Sequence, residues 1–346
     1  MGKIKSKINE FGVSRFIVVV FLVVLLVIAM LQGQDMKAIS SDIINRFGMN
    51  LFFSLAMVPA IISGIGLNFG ISIGTLSGIL AGLISIEMGL TGFTGIFAAL
   101  AMAIPFAIVA GGAYGKLLNA VKGNEMVVAT YVGYSIVSLM CIAWLILPFK
   151  SPNMIWTIGG EGLRTTITLE GYYDRVFSDL WSFEIFGVKI TTGMLIIAAL
   201  GCLLMYLFTK SRTGIAMKAA GNNPVYASAV GVNVDKMRLL GTILSTVLGA
   251  WGIITYAQAF GFYQLYTAPL SAATAPVAAV LIGGASTNKV KISHVILGTF
   301  LYQAIITVAV PVASILVPDG GLGDIARIIV SNGIILYALT QSGGNK

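Results

Sequence analysis

The sequence predicts an all-α polytopic membrane protein of about ten transmembrane helices, with both termini cytoplasmic and a single transmembrane domain over 1–346. Two observations carry this, the composition and the placement of the basic residues. Of 346 residues, 57% are hydrophobic and 10% charged, against roughly a quarter charged in a soluble domain. The apolar share, about 197 residues as 57% of 346, would fill roughly nine or ten spans of ~20 residues. A single water-soluble core is excluded. The formal charge of +8 does not point to nucleic acid, because the Lys and Arg residues fall in small groups between apolar runs and build no contiguous basic face.

Apolar runs bounded by charged or turn-rich segments lie at about 16–32, 47–66, 70–90, 93–114, 126–147, 192–209, 239–260, 268–285, 293–312 and 325–341. The first follows Lys3, Lys5, Lys7 and Arg15. Met30-Leu31-Gln32-Gly33-Gln34 offers no small-x-small cleavage site, so a retained anchor is expected. With the N-terminus inside and sides alternating, only Lys37, Arg46, Lys150, Arg164, Arg175, Lys189 and Arg327 of the 21 basic residues fall outside. Of the 13 acids, only Glu10, Glu125 and Asp235 fall inside. That asymmetry is the positive-inside bias, and it sets the orientation in a multi-pass cytoplasmic (inner) membrane.

The third run places Gly70, Gly74, Gly78 and Gly82 at intervals of four, which on a helix forms a groove that a neighbouring helix can enter backbone to backbone. The neighbour can belong to this chain or to a second subunit. Just before it, Gly64-Ile65-Gly66-Leu67-Asn68-Phe69-Gly70 interrupts two apolar runs and brings Asn68 and Ser72 near membrane depth. Irregular backbone there must be buried in protein or face a cavity. The segment is therefore either a bend lining a transport path or a plain turn between spans.

Several apparent motifs fail on inspection. Gly111-Gly112-Ala113-Tyr114-Gly115-Lys116-Leu117 has Ala110 where a phosphate loop needs its first glycine and Leu117 where it needs Ser or Thr. The chain thus carries no nucleotide-hydrolysing motif of its own, and no catalytic residue is assigned. His294 is the sole histidine and the acids do not cluster in sequence, so no metal site is expected. Cys141 and Cys202 lie within apolar runs and read as small buried residues. Charges within the spans are nearly absent; Glu87 and Arg327 lie near outer ends where headgroups are in reach. A path without carboxylates points to energy supplied elsewhere, although a sodium-coupled carrier using backbone and hydroxyl ligands is a second solution.

Two polar segments are long enough for structure of their own, an extracytoplasmic loop at 148–191 and a cytoplasmic loop at 210–238. The first carries Trp156, Trp181, Tyr172, Tyr173 and the Gly159-Gly160 pair and can fold over the membrane mouth. In the second, Asn223 can cap a helix whose first position is Pro224, and Gly231 suits its left-handed stop. A helix over about 224–230 is too short to stand alone and offers Val225, Tyr226 and Val230. It either docks into a groove on another protein or rests on the lipid bilayer.

At this loop a resemblance becomes specific. Ser211-Arg212-Thr213-Gly214, Ala219-Ala220-Gly221-Asn222-Asn223-Pro224, Ala227 and Gly231-Val232-Asn233-Val234 resemble the coupling loop of permease subunits of ATP-binding-cassette importers for simple sugars, nucleosides and branched-chain amino acids. Gly66 to Gly74, Asn124 to Thr130 and Leu281 to Ser286 agree in order. The resemblance implies that Gly214, Gly221, Asn222, Asn223, Pro224, Tyr226, Ala227 and Gly231 form the surface that meets a cytoplasmic ATP-binding subunit. It implies a second permease subunit, identical or paralogous, and an extracytoplasmic substrate-binding protein. No cofactor is then bound by this chain; ATP and Mg belong to the partner ATPase. Candidate residues along the substrate path are Asn68, Ser72, Thr130 and Tyr134. The similarity of Asn124-Glu125-Met126-Val127-Val128 to nucleoside permeases and of Gly283-Gly284-Ala285-Ser286 to sugar permeases favours a nucleoside or sugar over an amino acid.

Overall fold

The computed structural model describes residues 13–155, 162–316 and residue 333, and the side chains within them except at 13, 14 and 313–316. The expected tenth span at 325–341, with Arg327, and Trp156, Gly159 and Gly160 of the outer loop lie outside the described residues.

Among the described residues, seven helices are long and apolar enough to cross a membrane. In chain order the first part of the molecule comprises α1 (Val13–Leu31), α2 (Met36–Ile62), a 3₁₀ turn (Phe69–Ile71), α3 (Ser72–Glu87), α4 (Gly92–Ala120) and α5 (Glu125–Ile146). Three short strands follow, β1 (Thr166–Thr168), β2 (Phe183–Ile185) and β3 (Val188–Ile190), then α6 (Thr192–Lys210), α7 (Arg212–Asn222), α8 (Pro224–Ala229) and α9 (Val234–Phe260). The chain continues through β4 (Phe262–Gln264), α10 (Thr267–Ser271), α11 (Thr274–Ile282) and α12 (Ile292–Leu316).

α2, α3 and α9 form the centre. α9 packs against α2, α3 and α4, and α3 is buried nearly all round. The C-terminal half of α2, from Met49 to Ile62, is buried likewise apart from Asn50. Such helices show no apolar stripe because every face meets protein. α1 is the opposite case: Val18, Leu22, Leu25 and Ala29 form one buried stripe, while Phe16, Val20, Val23, Val27 and Met30 are exposed. α4 buries a stripe of Ala99, Ala103, Ala107 and Gly111, one small residue per turn, which lets it lie close against α9.

The glycine column of α3 is filled from within the chain. Added Cβ atoms at Gly74 and Gly78 would overlap the carbonyls of Thr246 and Ala250, so α9 is the helix that enters the groove. The groove is shorter than the spacing predicts, because Gly70 and Gly82 receive the rings of Tyr114 and Tyr263 instead of helix backbone.

Observed helices depart from the ten apolar runs in two ways. Several are longer, since α2 starts at Met36, α4 runs to Ala120 and α9 starts at Val234. At 27, 29 and 27 residues they measure about 40 Å or more at 1.5 Å per residue, beyond a hydrocarbon core of about 30 Å. Their polar ends, such as Lys37 to Arg46, therefore read as loops in a hydropathy scan although they are helical. The eighth run, expected as one span over 268–285, is instead the two short helices α10 and α11, broken at Ala272 and Ala273. Pro269 and Pro276 supply no amide donor to the turns around that break. α1 is also short as an apolar stretch, Arg15–Leu31.

The described parts of the outer segment, 147–155 and 162–191, lie at one end of the bundle. β1 pairs antiparallel with β4, matching Ile167 to Tyr263, and β2 and β3 form a hairpin. The 210–238 segment lies at the other end, because α6 separates the two; we call this the basic end.

Gly78→Leu is expected to force α9 away from α3 and to cost about 1–3 kcal/mol by overpacking. Gly112→Leu, where a Cβ meets nothing within 4 Å, should be neutral or slightly stabilising. Thermal midpoints of the two variants in detergent separate these outcomes.

Candidate coupling surface and buried path

Three side-chain caps build the basic end within a short stretch of sequence. Ser211 Oγ accepts from the Gly214 amide at 3.2 Å and opens α7. Asn223 Oδ1 accepts from the Tyr226 amide at 3.0 Å and opens α8, with Pro224 at its first position. Asn233 Oδ1 accepts from the Lys236 amide at 2.9 Å and opens α9. Gly231 ends α8 with φ +85°, a conformation that a side chain opposes. There the Val232 amide donates to the Ala227 carbonyl at 2.9 Å. A stop of this kind satisfies the last carbonyls of so short a helix.

The candidate residues of this loop divide by what they touch. Val225, Tyr226 and Val230 are 82%, 62% and 56% exposed, and Asn222, Asn223 and Pro224 are exposed beside them. Ala227 is fully buried, so its side chain does not reach outward; it packs α8 onto its own chain. Gly214 lies against the Phe208 carbonyl and lets α7 fold back on α6. Gly221 lies against the Ile62 carbonyl and, at 2.7 Å from a would-be Cβ, the Gly64 nitrogen. The outward surface is thus Val225, Tyr226 and Val230, with a hollow of about 530 Å³ beside it lined by Lys122, Val225, Ser228, Val232 and Asp235.

Beneath this surface lies a group that the sequence does not single out. Arg238, 8% exposed, donates from Nη2 to Glu125 Oε1 at 2.6 Å, from Nη1 to the Gly64 carbonyl at 3.0 Å and from Nε to Asn119 Oδ1 at 3.0 Å. Nη2 also reaches the Leu118 carbonyl at 3.5 Å. One guanidinium thus joins the α2–α3 turn, the end of α4, the start of α5 and the base of α9. In the sequence Arg238 counts only as one more inside charge, and its partner stands 113 residues away. The nearby Lys122–Asp235 pair is more than half exposed on both sides and contributes little to stability.

The four path candidates are not brought together around one opening. Asn68 is fully buried; its Nδ2 donates to Ser245 Oγ at 2.8 Å, and its Oδ1 accepts from the Gly70 amide at 3.0 Å and the Tyr114 hydroxyl at 2.9 Å. It caps the 3₁₀ turn and ties the break to α4 and α9. Ser72 donates to the Pro269 carbonyl at 2.7 Å and so holds α10. Neither faces open space, because the interrupted backbone needs their polar groups. Thr130 donates to the Met126 carbonyl at 2.9 Å and is partly buried. Tyr134, 52% exposed, stands one turn further along α5, whose outward face carries Val127, Tyr131 and Leu139.

At the opposite end Glu87 accepts from the Lys150 and Ser151 amides, each at 3.0 Å, and anchors the outer segment to α3. Tyr173 donates to the Gly82 carbonyl at 3.0 Å and lies 3.3 Å from the Tyr263 hydroxyl. Burial pushes both phenols well above their ordinary range, so both stay neutral at physiological pH. Gln258 Oε1 accepts from the Phe177 amide at 3.1 Å. The outer segment is thereby seated on α3 and α9, the same pair that the glycine column joins.

Among the described residues, seven helices long and apolar enough to cross a membrane mark a multi-pass membrane protein. A profile of the family described as branched-chain amino acid transport system / permease component matches residues 39–339, and the chain belongs to that family. It is 28% identical over 167 residues to a probable branched-chain amino acid transport permease protein LivH of Methanocaldococcus jannaschii, covering 42% of this chain and 52% of that protein. It is 29% identical over 109 residues to a nucleoside ABC transporter permease protein NupC of Lactococcus lactis, covering 32% of this chain and 34% of that one. A tyrosine transport system permease protein of Clostridioides difficile is 26% identical over 194 residues, covering 53% and 64%. The chain thus spans from a third to under two thirds of the length of these relatives. No solved structure matches it.

Asn223→Ala is expected to remove the α8 cap at about 1 kcal/mol. Amide exchange over 225–229 should then quicken several-fold while α9 is unchanged, as read by hydrogen-exchange mass spectrometry.

Proposed function

We propose that this chain is the membrane-spanning subunit of an ATP-binding-cassette importer, with its basic end in the cytoplasm, where α8 docks on an ATP-binding subunit. ATP and Mg act on that partner. A second permease subunit completes the path, and an extracytoplasmic binding protein delivers the solute over the 148–191 segment. The observation that carries the proposal is α8 itself. It is a two-turn helix capped at both ends, fixed by a buried Ala227, and it presents Val225, Tyr226 and Val230 to solvent. Large apolar groups held rigidly outside the membrane-spanning helices suit burial against a partner.

For the solute we propose a nucleoside or a simple sugar. Among the described residues, Arg238 is the sole charged side chain in the buried polar set, and Glu125 neutralises it. The remaining buried polar groups are hydroxyls and amides, so the described interior offers a solute no unpaired charge. A zwitterionic amino acid would bring two charges that these groups do not pair. The nucleoside permease among the relatives supports this choice; the two amino-acid permeases support the other.

Uptake of tritiated uridine, ribose and leucine by proteoliposomes carrying the assembled transporter separates the solutes. Tyr226→Asp is expected to lower ATP-driven uptake at least tenfold with membrane insertion unchanged. Ala227→Arg is expected instead to unfold α8, because it forces a charge into a packed site. Uptake by this chain alone under a proton or sodium gradient would overturn the proposal in favour of an ion-coupled carrier.

A further inference from the structure

The break between α2 and α3 is held from two sides. On one side Gly221, at the end of α7, lies against Ile62 and Gly64. On the other, Gly241 of α9 lies against Ser63, and its would-be Cβ stands 2.8 Å from the Pro59 carbonyl. Arg238 stands one turn before Gly241 and closes the clasp through the Gly64 carbonyl at 3.0 Å. Four residues beyond Gly64, Asn68 begins the 3₁₀ turn and is bound to Ser245 of α9. The segment that carries α8 therefore touches the same turn that Arg238 grips and that leads to the buried break.

We propose that Arg238 is a positioning residue for coupling: by gripping the Gly64 turn, the end of α4 and Glu125 of α5 together, it makes displacement of the α7–α8 segment move the break at Asn68. This rests on the proposed docking of α8. The chemistry favours arginine specifically. Its planar fork presents five donors, and here Nε, Nη1 and Nη2 each serve a different segment. A lysine ammonium is a compact charge that can serve Glu125 or the Gly64 carbonyl, not the whole set. Asn119 extends the grip, since its Nδ2 donates to the Asp235 carbonyl at 2.9 Å while its Oδ1 accepts from Arg238. The first turn of α9 and the end of α4 are thus fastened both to each other and to the clasp.

The alternative role is a buried ion pair that serves folding alone, and the two roles differ in what survives its removal. Arg238→Gln leaves Glu125 unpaired, so Arg238→Gln/Glu125→Gln is made beside it, together with Arg238→Lys. Each variant is reconstituted with the second permease subunit, the ATP-binding subunit and the binding protein. Copurification, ATP hydrolysis and uptake of the solute that the wild-type complex transports, out of uridine, ribose and leucine, are measured together. In the double variant the ATP-binding subunit should copurify and hydrolysis should stay within about threefold of wild type, while solute moved per ATP falls at least tenfold. Arg238→Lys should recover less than half of that ratio.

In the membrane chain alone, hydrogen exchange at 63–68 should quicken several-fold in the double variant, with 224–230 unchanged. An unchanged ratio of solute to ATP in the double variant, or a recovery to wild type by lysine, would overturn the positioning role while leaving the docking reading intact. Proportional loss of hydrolysis and uptake with unaltered exchange at 63–68 would overturn it as well. A wild-type complex in which uptake needs no ATP-binding subunit would overturn the docking reading first, and this inference with it.

Discussion

The contact on which the rest of the molecule depends is the close approach of α3 and α9. Lipid tails are as apolar as leucine, so helices in a bilayer associate through packing and hydrogen bonds more than through exclusion of water. Gly74 and Gly78 let α3 meet the α9 backbone directly. The same pair carries the seat of the outer segment, through Gly82, Tyr173, Tyr263 and Gln258. At the basic end α9 carries Arg238. Both ends of the molecule therefore rest on α9, the outer segment through Gln258 and the basic end through Arg238.

A second constraint comes from interrupted backbone. Between α2 and the 3₁₀ turn the chain is not helical, yet Ser63, Leu67 and Asn68 are buried. Each orphaned backbone group there needs a partner within the protein. Asn68 and Arg238 supply part of this, one from each side, and Ser72 does the same for the carbonyl of Pro269 in the second interrupted stretch. Asn68 and Ser72, expected along the substrate path, make hydrogen bonds within the chain.

How much was legible in the sequence differs by the range of the interaction. Asn223, Pro224 and Gly231 fix α8 through bonds to residues within a few positions, so the helix could be placed within one residue of its observed end. The glycine interval of α3 likewise announced a close packing, but it did not name α9, because the partner lies more than 150 residues away. Spans failed to match where polarity and helicity part company, as in the outer turns of α2, or where proline interrupts an apolar run, as at α10 and α11. Ala227, expected on the docking surface, is buried, because a six-residue helix has no periodicity from which to read a face. The family membership was legible in the loop motifs, whereas Arg238 and Glu125 become a unit only through the fold.

Five buried hydroxyls of α3 and α9 share one habit. Thr75, Ser77, Thr242, Thr246 and Thr255 each donate to a carbonyl one turn back on their own helix, at 2.9–3.1 Å. None of these protons is pledged to a facing helix. Two such surfaces can part, take up water and meet again without stranding a donor on either wall. The seam is built like a zipper with self-contained teeth, wettable when open and content when dry.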